Sequence, residues 1–162
     1  EQNARDVGHV AESFALDALT GELVWSTDDI TAADVVHLLG THGDSLVISG
    51  DRLLWLDKRT GAVQGRFPGG TTPMPIGALP SPRGLGRGTL AGSRVYWPTA
   101  GEIIVFPASP PVNPPWGESP RMLARLPVQP GGNGGVNVLA LDHALLVASP
   151  SRLMAFDRRS TK

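Results

Sequence analysis

A twelve-residue pattern, FALDALTGELVW from Phe14 to Trp25, recurs along this chain in eroded form. The interval between its copies restricts the possible folds more than any other feature. The later copies are LWLDKRTGAV (Leu54 to Val63), IVFP (Ile104 to Pro107) and MAFDRRST (Met154 to Thr161). With Asp57, Pro107 and Asp157 as anchors, the last three copies stand 50 residues apart, and Asp17 lies 40 residues before Asp57. Self-similarity on this scale marks propellers or solenoids. One position before the anchors stand Leu16, Leu56, Phe106 and Phe156, and three before stand Phe14, Leu54, Ile104 and Met154. Strand side chains alternate faces, so these two columns share one large apolar face. Five before stand Glu12, Arg52, Glu102 and Arg152, charges placed where a strand begins and can reach water.

Upstream of the anchors the last three copies align without gaps. Ser45 to Gly50 falls against Val95 to Ala100 and Leu145 to Pro150, each an apolar run closed by turn residues. An inner strand precedes each of them, at Val36 to Gly40, Gly86 to Leu90 and Val136 to Ala140, with turns at 41–44, 91–94 and 141–143. An outer strand follows the anchor at Glu22 to Trp25, Ala62 to Phe67 and Met122 to Leu126. The expected fold is all-β, built of consecutive four-stranded antiparallel units. They occupy 1–27 (the outer half of one), 35–67, 86–127 (with a Pro-rich insertion at 107–121) and 136–162 (incomplete). A fourth strand for the last unit is expected from beyond residue 162 or, failing that, from residues 1–10. Asp28 to Asp34 can form a turn of helix, with Asp28 capping it. Gly 20 and Pro 15 fit many short strands and tight turns.

The hairpin after each anchor explains its residues. An Asp at the anchor can accept hydrogen bonds from backbone N–H groups two and three positions on. Gly21 and Gly61 supply the positive φ of the return, and Thr20 and Thr60 add a hydroxyl. Trp25 offers a flat ring to pack between neighbouring sheets while its N–H finds a carbonyl. Pro107 and Ser160 erode this chemistry. Gly65 stands where Trp25 aligns, with Phe67 available to fill the space.

Composition excludes several classes. The net charge of −1 comes from interspersed signs, without the basic stripe of a nucleic-acid binder. The longest uncharged stretches are rich in Pro and Gly and cannot span a bilayer as a helix. With no cysteine, disulfides and thiolate zinc sites are ruled out.

The segment Phe14 to Trp25 resembles the PQQ-like (quinoprotein-type) β-propeller repeat, whose pattern is an apolar strand, Ala-x-Asp-x-x-Thr-Gly, a short apolar strand and Trp. Leu54 to Gly61 matches it without the Trp, and the 50-residue period extends the likeness over most of the chain. The resemblance implies a ring of typically eight blades, of which about three are present here, so the chain is expected to be a segment of a longer bacterial protein. The family includes PQQ-dependent dehydrogenases, the assembly lipoprotein of the outer-membrane β-barrel machinery and proteins that join propellers to signalling domains. It favours a periplasmic or cell-surface location.

A quinoprotein enzyme needs calcium held by carboxylate and amide oxygens, an Asp base and an aromatic floor for PQQ. The visible carboxylates Asp17, Asp57 and Asp157 sit in the turn column, where repetition assigns them a structural role with Gly21, Trp25 and Gly61. No catalytic, cofactor or metal residue is therefore assigned, and no nucleophile motif is present. His37 and His42 with Asp34 and Asp44 have no usual ligand spacing. The glycine-rich stretches Arg83 to Gly88 and Gly131 to Gly135 occupy the same slot in successive units. They lack a P-loop ending and are expected on one face, at the mouth of the central channel. Arg83, Arg87, Asn133 and Asn137 are the candidate contact surface, and Trp116 in the Pro-rich insertion is a further candidate. Trp55 and Trp97 are expected to pack. The reading that follows is a non-catalytic binding or scaffold module, whose partner is another protein or the rest of its own chain. The alternatives are a segment of a PQQ-dependent dehydrogenase, with calcium and PQQ, and an extracytoplasmic sensor.

Overall fold

A computed structural model describes residues 13–28, 30, 37–68, 82–110, 121–128 and 135–157, and those residues contain thirteen β-strands and no helix. The first sheet pairs β1 (Ser13–Leu16) with β2 (Leu23–Thr27). The second runs β3 (His37–His42), β4 (Ser45–Ser49), β5 (Leu53–Asp57) and β6 (Val63–Phe67) in order. The third holds β7 (Thr89–Ala91), β8 (Arg94–Pro98), β9 (Glu102–Pro107) and β10 (Ala124–Pro127). The fourth holds β11 (Asn137–Ala140), β12 (Ala144–Ala148) and β13 (Leu153–Asp157). All pairings are antiparallel, and β3, β7 and β11 adjoin one another at the inner edge. The sheets are consecutive blades.

The repeat needs one correction. Ser45 lies opposite Asp57, Arg94 opposite Pro107, and Ala144 opposite Asp157. Ser45 therefore corresponds to Arg94 and Ala144, not to Val95 and Leu145, and the alignment between the second and third sheets needs a one-residue gap. The cause is the β4–β5 connection, which has one residue fewer than β12–β13. A one-residue slip exchanges the two faces of a strand, so the pairing and not the sequence count fixes the match. The structure also trims several strands. β3 continues through His42, because Gly43, with φ of 58°, lets a two-residue turn close the hairpin. β7 begins only at Thr89, β10 only at Ala124 and β2 only at Leu23. The possible helical turn at Asp28 to Asp34 falls mostly outside the described residues.

The two columns before the anchors do share a face. Leu46 opposes Leu56, Val95 opposes Phe106 and Leu145 opposes Phe156. Each pair points back at the preceding sheet. Leu54, Leu56 and Ile48 pack there with Ile30 and Val63. Ile104, Phe106, Val95 and Trp97 pack against Val47, Leu53, Trp55 and Phe67 of the second sheet. The opposite face of the third sheet (Tyr96, Ile103, Val105) meets Val136, Val138, Leu145 and Val147. Phe106 is the centre of the middle layer. Its ring lies 4.7 Å from that of Phe67 and 5.9 Å from that of Trp55, the latter edge-on, and Phe67 meets Trp97 edge-on at 5.6 Å. Such pairs add about 0.5–1.5 kcal/mol each beyond their buried area. The columns do not share one degree of burial. Phe14 and Leu16 are 57% and 52% exposed, since no described sheet precedes theirs, and Phe156, 37% exposed, borders a groove facing the third sheet.

Candidate contact surface

The repeated carboxylates act on the backbone. Asp17 Oδ1 accepts the N–H groups of Leu19 (2.8 Å) and Thr20 (2.9 Å), and Asp57 Oδ1 accepts those of Arg59 (2.8 Å) and Thr60 (3.1 Å). Thr20 Oγ1 and Thr60 Oγ1 then accept the N–H groups of Glu22 and Ala62. Hydrogen bonds to the charged form favour it. The Thr20 and Leu19 amides hold Asp17 below the usual carboxylate range, and the Arg59 amide above all does so for Asp57. Gly21 and Gly61 both have φ of 74°. Trp25 joins the first sheet to the second. Its Nε1 donates to the Lys58 carbonyl at 2.9 Å, and its ring lies over Gly61, so close that a Cβ there would fall 2.5 Å from Cε3. Asp157 ends β13, and the turn after it lies outside the described residues.

Arg83, Arg87 and Asn137 stand on the strands and links at one end of the sheets. The link from 82 to 88 is tied to the second, third and fourth sheets by backbone hydrogen bonds. Gly84 N donates to Asp51 O (3.1 Å), and Leu85 N donates to Pro98 O (2.9 Å). Val136 N donates to Leu85 O (3.2 Å), and Val138 N donates to Arg87 O (2.8 Å). Asn137 Oδ1 accepts the Arg87 N–H at 3.3 Å. At Gly86, with φ of 103°, a Cβ would fall 2.0 Å from the Val136 carbonyl oxygen, so only glycine allows the link to pass. Arg87 is exposed beside a hollow of about 320 Å³ lined by Leu39, Gly88, Thr89, Val138 and Leu139. Arg83 is also exposed and reaches Asp51 at 3.8 Å. At that exposure the pair fixes direction and contributes little energy.

Asn133 and Trp116 lie outside the described residues. Trp55 and Trp97 are fully buried, as expected of packing residues. His37 and His42 sit at the two ends of β3, five residues and so roughly 16 Å apart, too far to share one ion. Among the described residues no cluster of three His, Cys, Asp or Glu side chains can hold a metal, and no helix is long and apolar enough to cross a membrane. Sequence reasoning missed two things. The partnership of Asn137 with Arg87 joins residues fifty positions apart, and only their common column hinted at it. The second is a groove of about 690 Å³ between the third and fourth sheets, beside Ala124 and Phe156. Its signal was hidden, because the insertion at 107–121 separates Ala124 from its anchor.

The sequence matches no family profile and no curated protein. Among solved structures it is similar to BamB from Moraxella catarrhalis, with a TM-score of 0.61 at 17% identity over 95% of this chain. The match covers 42% of that protein's length. Together with the sheet order and inter-sheet packing, this likeness makes the fold of the chain that of consecutive blades of a β-propeller.

Proposed function

We propose that this chain is a non-catalytic PQQ-like propeller module that binds or organises a protein partner, or the rest of its own chain, within a larger bacterial protein of the periplasm or cell surface. The observation that carries this reading is the exposed Arg87, whose backbone is held by Val138 and Asn137 of the fourth sheet, on a link that Gly84 and Leu85 tie to the second and third sheets and that also carries Arg83. A rigid frame holding cations in water is suited to the carboxylates of a protein surface. Asn133 is assigned to the same surface from its sequence position, and Trp116, in the insertion at 107–121, is a separate candidate contact. The likeness to BamB supports a ring of about eight blades. Thirteen strands over 42% of that chain scale to roughly thirty-one strands, close to eight blades of four.

Two measurements test the reading. A hexaglutamate peptide is expected to shift the amide resonances of Arg87 and Asn137, and the shifts are expected to vanish in Arg87→Ala. Dye-linked oxidation of alcohols or sugars, assayed on the full-length protein with calcium and PQQ, is expected to show no turnover. Turnover would replace this proposal with the dehydrogenase reading.

A further inference from the structure

The hollow beside Arg87 sets one cation against apolar walls. Three adjoining inner strands supply those walls: Leu39 from β3, Thr89 from β7, and Val138 and Leu139 from β11. Gly88 lies flat between them, since a Cβ there would fall 2.5 Å from the Tyr96 carbonyl oxygen and 3.4 Å from Leu39 Cδ1. The Arg87 main chain is fixed on both sides. Asn137 Oδ1 accepts its N–H, and its carbonyl accepts the N–H of Val138. Its side chain stands exposed at the rim. Among the described residues, Asp44, Asp51 and Glu102 pair with other cations, and no carboxylate pairs with Arg87. No hydrogen bond among those residues engages the Thr89 hydroxyl either. Leu139 keeps 53% of its surface in water. The volume, about 320 Å³, stands at the small end of the roughly 300–1,000 Å³ usual for ligand sites, room for one large residue and not for a length of peptide.

We propose that this hollow receives the C-terminal residue of a partner protein, and that the residue is apolar. The assignment rests on the protein-binding role proposed for Arg87 and names the chemistry of the partner. One such residue carries both groups that the site matches. Its α-carboxylate takes the Arg87 guanidinium and the Thr89 hydroxyl, and its side chain covers Leu39, Val138 and Leu139. Guanidinium and carboxylate can meet through two parallel charge-assisted hydrogen bonds, which fix direction as well as charge. Capture of a terminal carboxylate is one of the recurring modes of peptide recognition. A glutamate within a chain brings the charge without the apolar group. It also requires peptide to pass on both sides of a hollow sized for a single residue.

The probe is the peptide N-acetyl-Gly-Gly-Leu with a free carboxylate, titrated into the full chain and followed by amide chemical shifts. Saturable shifts at Arg87, Thr89, Val138 and Leu139 are expected. The same peptide closed by a C-terminal amide should bind roughly tenfold more weakly, and so should N-acetyl-Gly-Gly-Gly. Arg87→Gln should bind acid and amide alike while still preferring leucine to glycine. Leu139→Ser, at an exposed position, should lose the preference for leucine and keep that for the acid. Arg125→Gln, on the outer strand β10, should change neither. The proposal is overturned by an absence of shifts at millimolar peptide, by acid and amide binding equally, or by both preferences surviving in both variants. N-acetyl-Gly-Glu-Gly-amide binding as tightly would overturn it in favour of a side-chain carboxylate. Free leucine or 4-methylpentanoate binding more tightly than the tripeptide would overturn it in favour of a small carboxylic acid. Shifts with hexaglutamate but none with the tripeptide would overturn this proposal and leave the protein-binding role standing. Turnover with calcium and PQQ would overturn that role, while the two preferences, once seen, would still support the site.

Discussion

Gly21 and Gly61 form a natural controlled pair. Both follow an Asp-x-x-Thr turn, both have φ of 74°, and each donates its N–H to the carbonyl of its anchor Asp, at 2.9 Å and 2.8 Å. They differ in surroundings. Nothing lies within 4 Å of a Cβ built on Gly21, whereas one on Gly61 would meet Trp25 Cε3 at 2.5 Å and Cδ2 at 2.8 Å. Gly21→Ala should therefore show backbone strain alone. The left-handed conformation costs an L-residue about 1–2 kcal/mol, and the stiffer unfolded chain returns about 0.4–1 kcal/mol, leaving a net cost near 1 kcal/mol. Gly61→Ala carries the same strain and must also displace a two-ring side chain that cannot yield at its tip. Displacement breaks the Nε1 bond to Lys58, about 1 kcal/mol, and strips packing from a half-buried ring, about another 1 kcal/mol. The expected total is about 3 kcal/mol. In a Trp25→Ala background the clash is gone and Gly61→Ala should fall back to about 1 kcal/mol, a coupling of about 2 kcal/mol. Urea unfolding of the four proteins measures the cycle. Hydrogen exchange over 13–28 should show the first hairpin losing protection in Gly61→Ala, since two strands alone are marginal. Equal costs for the two glycines, or a coupling below about 0.5 kcal/mol, would refute the argument that the indole clamps one blade to the next.

Three further outcomes follow from the same geometry. Asp17 and Asp57 have folded-state pKa values below their unfolded ones, so their contribution is present above the unfolded carboxylate range and is lost as pH falls through the folded values. Urea midpoints should drop on acidification below about pH 4, and Asp57→Asn, whose amide oxygen can still accept the Arg59 and Thr60 N–H groups, should flatten that drop. Phe106→Ala removes the ring shared by Trp55, Phe67 and Trp97, and calorimetry or urea unfolding should record a loss of about 3–5 kcal/mol. Gly86→Ala drives a Cβ into the Val136 carbonyl, so the bond from Val136 N to Leu85 O should open and the 135–139 amides should lose exchange protection. Retained protection would mean that the link at 82–88 is not held as described.

The fold was legible because the repeat couples a local signal to a global one. Asp at the anchor, Thr three residues on and Gly four on specify one turn, and the apolar columns specify which side of the strand faces a neighbour. Leu56 and Phe106 followed that rule into two different cores. What failed was counting across hairpins. The β4–β5 connection lacks one residue, and nothing in Gly50 or Asp51 announces it. Only pairing reveals that Ser45 matches Arg94. Strand ends failed for a related reason, since His42 stays in β3 through the positive φ of Gly43, a backbone property that a composition of turn-forming residues does not resolve.

The candidate surface was legible only as far as its residues share columns. Arg87 and Asn137 stand one period apart, and adjacent blades bring equal columns side by side, so a contact between them follows from the fold. The partnership of Arg83 with Asp51 does not follow, because it joins a link to a hairpin turn of the blade before. The groove was the least legible feature, since it is made by what two positions lack. Trp25 with Thr27 and Phe67 with Gly65 show that bulk can sit at either of two positions and still close a gap. A residue-by-residue comparison scores Gly65 as an eroded Trp and Ala124 as another, yet the first is compensated two residues later by the ring of Phe67 and the second only by the smaller Leu126. Erosion of a repeat therefore has physical meaning only when the volume facing a gap is taken as a whole. On that measure the third gap is packed around Val105, Val138, Leu145 and Val147 but keeps a groove beside Ala124, which marks where it differs from the other two.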